Sequence, residues 1–527
     1  MERPRALISV WDKTGIEDLA AALNSMNWEL ISTGGTASKL RKAGLEVTDV
    51  SDVSGHPEIL DGRVKTLHPA LHGGILARRD SEKDMQTLAE LGYVGIDMVC
   101  VNLYPFEDTA ALDPPVSNQD LFEMIDIGGP TMVRSSAKNH ADVIIVTQPE
   151  QYESILNALS ESNGNPSGVG LEMRKELALS AFQSTAAYDS AISNELWTRF
   201  IQSRIPNRIL ASSKPGIELR YGENPHQQAS FYPSPGNPRG LSRAEQHGGK
   251  PLSYNNYLDL DAALRLVRSL SQTCDFESHS CVAIKHTNPC GASVSNNQVS
   301  AWENALASDP ESAFGCVIAF DSVVEKETAE SIGNHFFECM IAPGYQSDAL
   351  EILSNGKNRR ILTLDPLGEL IDEPKIRQVQ GGWLSQIQGI HRIDWENVRH
   401  VTEKTLDEDE LNLARFGTSV IAEVQSNAII LVRKTESGYS TVGVGPGQTS
   451  RVEAVRIAAR RAGQKAKGAM MISDAFFPFR DGVDTSSEIG ITSIVQPGGS
   501  IRDEEVIEAA NEFGIAMVLT GTRLFRH

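Results

Sequence analysis

Nothing in the 527 residues approaches the ~18 consecutive apolar positions of a membrane-spanning helix, which excludes a helical integral membrane protein. The opening MERPRALISVWDKTG has an apolar run too short, and too soon interrupted by Asp12 and Lys13, for a secretory signal, so a cytoplasmic protein is predicted. Basic charge is scarce as well: 48 Lys and Arg stand against 69 Asp and Glu, a net charge of −21. An acidic chain does not neutralise phosphates broadly, which argues against non-specific nucleic-acid binding. Any anionic ligand must meet locally clustered Arg and Lys. The six cysteines (100, 274, 281, 290, 316, 339) include no CxxC pair. A disulfide framework is therefore not expected, and each thiol reads as a reduced, buried small side chain. Fixed-period repeats and low-complexity tracts are missing too.

One stretch, CVAIKHTNPCGAS at 281–293, is dense enough in Lys, His and Cys to raise zinc, a thiol nucleophile or a proton-moving Lys–His pair. Zinc-dependent base deaminases need H-x-E and P-C-x-x-C. Here Cys290 is followed by Gly291, Ala292 and Ser293, and His286 by Thr287 and Asn288, so ligands are missing and no zinc is expected.

The length predicts about three lobes. Over the first 150 residues, β-like runs (RALISV, WELIS, DMVCVNLYPF, ADVIIVT) alternate with helical patterns, the signature of an α/β unit with a largely parallel sheet. Leu171 to Gln202 reads as one helix with Met173, Leu177, Ala181, Tyr188 and Ile192 on a core-facing side. The stretch SRIPNRILASSKPGIELRYG, with Pro206, Ser212, Ser213, Pro215 and Gly216, breaks the pattern and marks a domain boundary. Beyond it SCVAIKH, CVIAFDSVV, AIILVRK and AMMISDAFF read as strands and SRVEAVRIAARRAGQKA as a helix.

STGGTASKL (32–40) is a strand, a glycine turn and a helix start. Gly34 and Gly35 let backbone amides approach an anion, with Thr33 and Thr36 offering hydroxyls; Thr36 as a simple helix cap is the competing reading. DGRVKTLHPALHGGILARR adds Arg63, Lys65, His68 and His72 in an irregular segment that favours an oxyanion pocket over a metal. Asn102 and Tyr104 end a strand, and IDIGGPTMVRSSAKNH supplies Asp126, Arg134, Lys138, Asn139 and His140. In the second half, LRYGENPHQQA is a ligand-type loop. Asn427 and Arg451 sit at a strand and at a helix start, and Phe476 and Phe477 could be core or a stacking wall.

The ordered set GRVKTLHPALHGG, IDIGGPTMVRSSAKNH, RYGENPHQ, KHTNPCGAS and SDAFFPF spans essentially the whole chain and resembles the bifunctional AICAR formyltransferase/IMP cyclohydrolase family. The resemblance implies a methylglyoxal-synthase-like parallel-sheet domain over 1–199. It also implies a formyltransferase unit over 200–527, built from two cytidine-deaminase-like lobes dividing near 363–375. It further implies a homodimer acting on AICAR, formamido-AICAR and IMP, with 10-formyltetrahydrofolate as cosubstrate and, in some relatives, a potassium ion. For formyl transfer it implies His286 as base, Lys285 for the oxyanion or leaving nitrogen, and Asn427 in support. Arg220, Tyr221, Asn288, Phe314, Gly315, Glu338, Arg451, Phe476, Pro478 and Arg523 would hold nucleotide and folate. For ring closure it implies Lys65, Tyr104, Asp126 and Lys138, with Ser9, Lys13, Gly35, Thr36, Arg63 and Thr66 on the phosphate and base. Successive residues cannot face each other on a regular strand, so Lys285 and His286 should lie on a bend. The sequence departs from the common family pattern at Cys316, Pro446 and Thr449.

Overall fold

The computed structural model describes residues 3–201, 205–210, 213–234, 240–274, 278–356, 358–389 and 393–527, without the Asp61 side chain. Gln202 of the predicted helix and residues 203, 204, 211 and 212 of the predicted break lie outside them. The chain forms two compact units, the first up to Lys214 and the second from Pro215 onward apart from Ser234, which groups with the first. The long helix Leu171–Phe200 stops where its sequence loses the apolar face, yet the chain after it stays with the first unit. Asn194 Nδ2 donates to the Leu210 carbonyl at 2.9 Å, which ties that segment back.

In the first unit five strands pair in parallel: β1 (Arg5–Ser9), β2 (Glu29–Ser32), β3 (Thr48–Asp49), β4 (Met98–Val101) and β5 (Ile144–Val146), in the order β3-β2-β1-β4-β5. Strands covered by helices on both faces read as unbroken apolar runs, and β4 and β5 are buried at every position. β3 has only two residues and no such run, which is why the sequence pattern did not find it. Because β1 pairs with β2 on one side and β4 on the other, the chain reverses its winding there, and a crevice opens at the carboxyl ends of these strands. Leu177 and Ala181 on the long helix enter the sheet's core, while Tyr188 and Ile192 pack with Phe106 and Leu121 in a separate small cluster.

The second unit holds two short pairs of strands and one long sheet. One pair is β6 (Ile217–Glu218) with β7 (Ser230–Phe231). The sheet's strands are β8 (Glu245–Gly248), β9 (His279–Lys285), β10 (Asn288–Ser295), β11 (Cys316–Phe320), β12 (Phe337–Ala342) and β13 (Arg360–Thr363), then, after the hairpin β14 (Glu373–Val379) and β15 (Gly382–Gln388), β16 (Arg399–His400), β17 (Ile429–Lys434), β18 (Gly438–Gly445), β19 (Met470–Ser473), β20 (Ser493–Gln496) and β21 (Ala516–Leu519). Their order is β16-β21-β20-β19-β17-β18-β10-β9-β11-β12-β13-β8, twelve strands that read as one arrangement and its repeat meeting at the antiparallel pair β18 and β10. The repeat is one of topology, carried by sequences too different to show a period.

Packing is matched across that junction. A Cβ on Gly291 of β10 would strike the Ala305 carbonyl of helix Gln298–Leu306, and one on Gly443 of β18 the Ala458 carbonyl of helix Arg451–Ala462. Both helices lie against the sheet at distances only glycine permits. β10 reads NPCGASVS, turn-rich in composition, and was missed from sequence for that reason; burial on nearly all its length makes it a strand. Residues 363–375 run from the end of β13 into the exposed hairpin, between the two repeats. Among the described residues no disulfide joins the six cysteines. Five are buried, Cys274 is partly so, and burial pushes the Cys290 thiol up to about 12.

A charged cluster is buried beside the sheet. Arg265 Nη2 donates to Glu423 Oε1 at 2.9 Å, and Arg526 Nε lies 3.7 Å from Glu423 Oε2. Glu423→Ala would leave both guanidinium groups without this counter-charge, so a stability loss of about 3–5 kcal/mol is expected by urea unfolding. An unchanged midpoint would show that the remaining carboxylates compensate.

Candidate functional site

The crevice at the carboxyl ends of β1, β2 and β4 is a cavity of about 680 Å³. Ser9, Lys13, Gly35, Thr36, Arg63, Lys65, Thr66, Tyr104 and Asp126 all line it, joined by Trp11, Thr33, Asn102, Glu123 and Ile127. Each arrives by a different piece of local structure. β2 ends at Ser32 and the helix Gly34–Lys42 begins at once, with Gly34 at φ 56° making the sharp entry. Thr33 takes the N-cap position without a side-chain cap bond, which leaves the helix's first amides open towards the cavity. Thr36 is no cap: its hydroxyl donates to the Val10 carbonyl at 3.0 Å and accepts from the Val10 amide at 3.2 Å, locking the helix to the end of β1. Lys13 and Lys65 flank the turn. A Cβ on Gly35 would lie 3.8 Å from Lys13 Cε, and one on Gly34 3.2 Å from Lys65 Nζ. Helix amides between two ammonium groups form a site for an anion such as a phosphate.

Asp126 comes from the loop before the helix Gly128–Lys138. Its Oδ1 accepts from the Gly129 amide at 2.8 Å, and its own amide donates to Tyr188 Oη at 2.8 Å. Tyr188 in turn donates to the Met124 carbonyl, so the long helix fixes the loop that carries the carboxylate. From sequence Tyr188 was only a core-facing residue; nothing in its spacing pointed to this contact. Burial pushes the Asp126 carboxyl up, partly opposed by the Gly129 amide and the Lys65 charge. Burial and the neighbouring carboxylate also push the Tyr104 phenol up, which keeps it a proton donor at neutral pH. Asn102, by contrast, spends its side chain as a clasp, accepting from the Trp11 and Asp12 amides and donating to the Asp12 carbonyl. Arg63 is exposed and pairs with Glu123 across the mouth.

Lys138 does not join this set. It ends the helix that Asp126 precedes, three turns or roughly 15 Å away along the axis, and lines a separate cavity of about 550 Å³ with Arg134, His140 and Phe182. The two motif ends, adjacent on paper, are separated by the length of a helix.

Gly129 is where the geometry is tightest. A Cβ there would strike Asp126 Oδ2 and come within 2.9 Å of Leu103 Cδ2. Gly129→Ala is therefore expected to swing the carboxylate and to slow about 10²-fold whatever reaction this cavity carries out, with the activity of the second unit as the control. A parental rate at this cavity would mean that the carboxylate's position is not critical.

In the second unit β9 and β10 join through a two-residue turn, and Lys285 and His286 lie at its bend. His286 has φ 53° and Thr287 φ 59°, both left-handed, as a type I′ hairpin turn requires. Lys285 Nζ donates to the Phe314 carbonyl at 2.8 Å, and Phe314 itself is exposed beside Phe336. Asn288 Nδ2 donates to the His286 carbonyl at 3.0 Å, while its Oδ1 accepts from the Gln425 amide at 3.0 Å. Asn427 accepts from Arg451 Nη2 at 2.9 Å and donates to the Gln448 carbonyl at 2.9 Å. Arg451 is committed further, to Ser473 Oγ and to the buried carboxylate of Asp474. Lys285, His286, Asn288, Phe314 and, through Gln425, the Asn427–Arg451 segment are thus brought together.

The remaining predicted residues are not joined to that turn by hydrogen bonds or ring contacts among the described residues. Arg220 lies over the Tyr221 ring, Arg523 over Phe525, and Glu338 pairs with the buried Arg360. The aromatic pair divides: Phe477 is core, whereas Phe476 and Pro478 are exposed. Among the described residues no cluster of His, Cys, Asp and Glu is placed to hold a metal ion, and no helix is long and apolar enough to cross a membrane.

Two family profiles match the chain: an MGS-like domain over residues 15–131 and the AICARFT/IMPCHase bienzyme over residues 136–461. The bifunctional purine biosynthesis protein PurH of Persephonella marina is 43% identical over 530 residues, covering 99% of both chains. The chain belongs to the AICARFT/IMPCHase bienzyme family. PurH of Bacillus subtilis is 43% identical, covering 99% of each chain, and PurH of Roseobacter denitrificans is 45% identical, covering 99% of this chain and 98% of its own. A solved chain described as the crystal structure of ForH aligns with 37% of this chain at 40% identity and a TM-score of 0.34. Lys65, Tyr104 and Asp126 lie in the MGS-like match, and Lys138, the His286 turn, Asn427 and Arg451 in the bienzyme match. Phe476, Pro478 and Arg523 lie beyond both.

Proposed function

We propose that the two activities of this bifunctional purine-biosynthesis enzyme are divided between the two units: IMP cyclohydrolase in the first, up to Lys214 rather than 199, and AICAR formyltransferase in the second. The observation that carries the first assignment is the convergence of Lys65, Tyr104 and Asp126 on one cavity whose far wall is a helix N-terminus flanked by two lysines. The nucleotide's 5′-phosphate sits on that N-terminus, with Ser9, Thr36, Arg63 and Thr66 around it. The carboxamide nitrogen of the formamido nucleotide attacks the formamide carbon and water leaves. Lys65 faces the developing oxyanion, Asp126 takes the carboxamide nitrogen's proton and Tyr104 supplies one to that oxygen; loss of the formamide nitrogen's proton with a second protonation of the oxygen then breaks the C–O bond and releases water. Lys138 has no direct part in this scheme.

In the second unit the exocyclic amine of AICAR is a poor nucleophile, its lone pair delocalised into the imidazole. His286, exposed at the tip of its turn, takes the amine's proton as it attacks the formyl carbon of 10-formyltetrahydrofolate, and Lys285 stabilises the oxyanion. Asn427, held by Arg451, supports that proton transfer. Arg220, Tyr221, Asn288, Phe314, Gly315, Glu338, Arg451, Phe476, Pro478 and Arg523 bind nucleotide and folate, and some of them reach the reaction from a second copy. A homodimer is supported by the hairpin β14–β15, every residue of whose first strand is exposed and which presents Ile376, Val379, Trp383 and Leu384 to solvent. A two-stranded ribbon needs such packing to be stable. The duplicated topology supports two deaminase-like lobes divided near 363–375. No zinc takes part, and the enzyme works in the cytoplasm.

Purified protein with AICAR and 10-formyltetrahydrofolate tests the assignment, with tetrahydrofolate release followed by absorbance and nucleotides by chromatography. IMP is the expected product. Accumulation of the formamido nucleotide would leave the first unit idle, and no turnover would make the chain a nucleotide-binding sensor.

A further inference from the structure

The turn that carries His286 is built from residues that resist its conformation. Type I′ turns favour Asn-Gly because both central residues take positive φ. Here they are His286 and Thr287, and a β-branched residue at positive φ is an outlier that the surroundings must enforce. What enforces it can be read from the turn's backbone. Asn288 Nδ2 holds the His286 carbonyl, and Arg526 Nη1 holds the Thr287 carbonyl at 2.8 Å. The Thr287 amide donates to Asp259 Oδ1 at 2.7 Å, and the His286 amide is directed at the same carboxylate.

We infer that Asp259 is a positioning residue for formyl transfer, clamping the left-handed His286–Thr287 turn through the Thr287 amide so that the imidazole is presented at the hairpin tip. The inference rests on His286 being the base. Asp259 belongs to the helix Tyr254–Thr273, which is started without it: Ser253 accepts from the Asn256 amide and Asn256 from the Ser253 amide, a closed capping box. Asp259 lies further along, past the first turn, so its carboxylate has no helix-capping duty and is free for the loop above it. It is half-buried, and burial pushes its carboxyl up, opposed by the two turn amides and by the adjacent His286 and Lys285 charges. A neutral side chain of the same shape would keep an acceptor for one amide. A methyl group would keep none, leaving Thr287 to relax towards negative φ and carry His286 away from its place.

The test uses the full-length chain and five variants, with the urea-unfolding midpoint as the control for folding and ring closure of the formamido nucleotide as the control for the first unit. Asp259→Ala is expected to lower kcat of formyl transfer about 10²-fold, the penalty of a displaced catalytic group, with KM for AICAR little changed. Asp259→Asn should recover part of that loss. Thr287→Gly, which takes positive φ without strain, should behave like the parent alone and restore most of the rate when combined with Asp259→Ala. Parental kcat in Asp259→Ala would overturn the inference. So would a double variant as slow as the single one, since a carboxylate acting on the imidazole directly would not be replaced by a compliant turn. Retention of formyl transfer in His286→Ala would instead sink the assignment of the base, whatever the Asp259 variants did.

Discussion

His286→Ala is expected to lower formyl transfer by roughly 10²–10⁴-fold, the contribution typical of a positioned general base. The ring-closing activity should be unchanged. The size of the effect follows from the weakness of the nucleophile, an amine whose lone pair is shared with its heterocycle. Without a base the attack generates a cationic amine beside a bound folate, and the carboxylate against the turn, Asp259, is spent on the Thr287 amide. Lys285 is an ammonium already donating to the Phe314 carbonyl, and Asn288 is occupied between the His286 carbonyl and the Gln425 amide. The measurement is tetrahydrofolate release with AICAR saturating, beside formamido-nucleotide closure in the same preparation. A loss of less than about tenfold would move the proton transfer to another group and leave His286 a binding residue.

Asp126→Asn should remove most ring closure, by about 10²–10³-fold, without costing stability. Both halves of this expectation come from one environment. Asp126 is held by the Gly129 amide next to Tyr104 and near Lys65, and burial raises its carboxyl above the unfolded value. A raised folded pKa means that the folded chain keeps the proton to higher pH than the unfolded chain. The stability associated with this group is therefore present in acid and lost as pH rises from the unfolded value through the raised one. At neutral pH the ionised carboxylate costs stability, and asparagine, which keeps an acceptor for Gly129, relieves that cost. An unfolding midpoint at neutral pH equal to or above the parent's, with ring closure nearly abolished, is the expected pair of results. A clear drop in midpoint would mean that the charge contributes more through Lys65 than burial takes away. In the parent, ring closure should fall as pH drops through the raised pKa, because protonation removes the base.

The difference between what could be read from the chain and what could not follows element type. β1, β2, β4 and β5 were legible because a strand covered on both faces must be continuously apolar. β10, with Pro289, Gly291 and two serines, was not. Its strand character is imposed by neighbours on both sides and by a helix packed against Gly291. The cavity set was legible as residue types in irregular, glycine-interrupted segments, which have no packing reason to carry Lys65 or Asp126. Lys138 shows the limit of that reading, since proximity along a motif says nothing about which end of a helix a residue occupies. Tyr188 and Asp259 escaped notice for the opposite reason. Each sits in a regular helix, where a tyrosine on the buried face or a carboxylate near the start has an ordinary explanation.

The sequence by itself determined the parallel first sheet and the family, because these depend on residue type, spacing and order. Only the tertiary structure decided that twelve strands form one sheet from a repeated topology. Likewise it decided that Lys138 faces another cavity, that Arg451 is spent on Asp474 and Asn427, and that Asp259 holds the His286 turn. Those are contacts between segments far apart in the chain, and which of many compatible partners a polar side chain meets is set by how the elements stack.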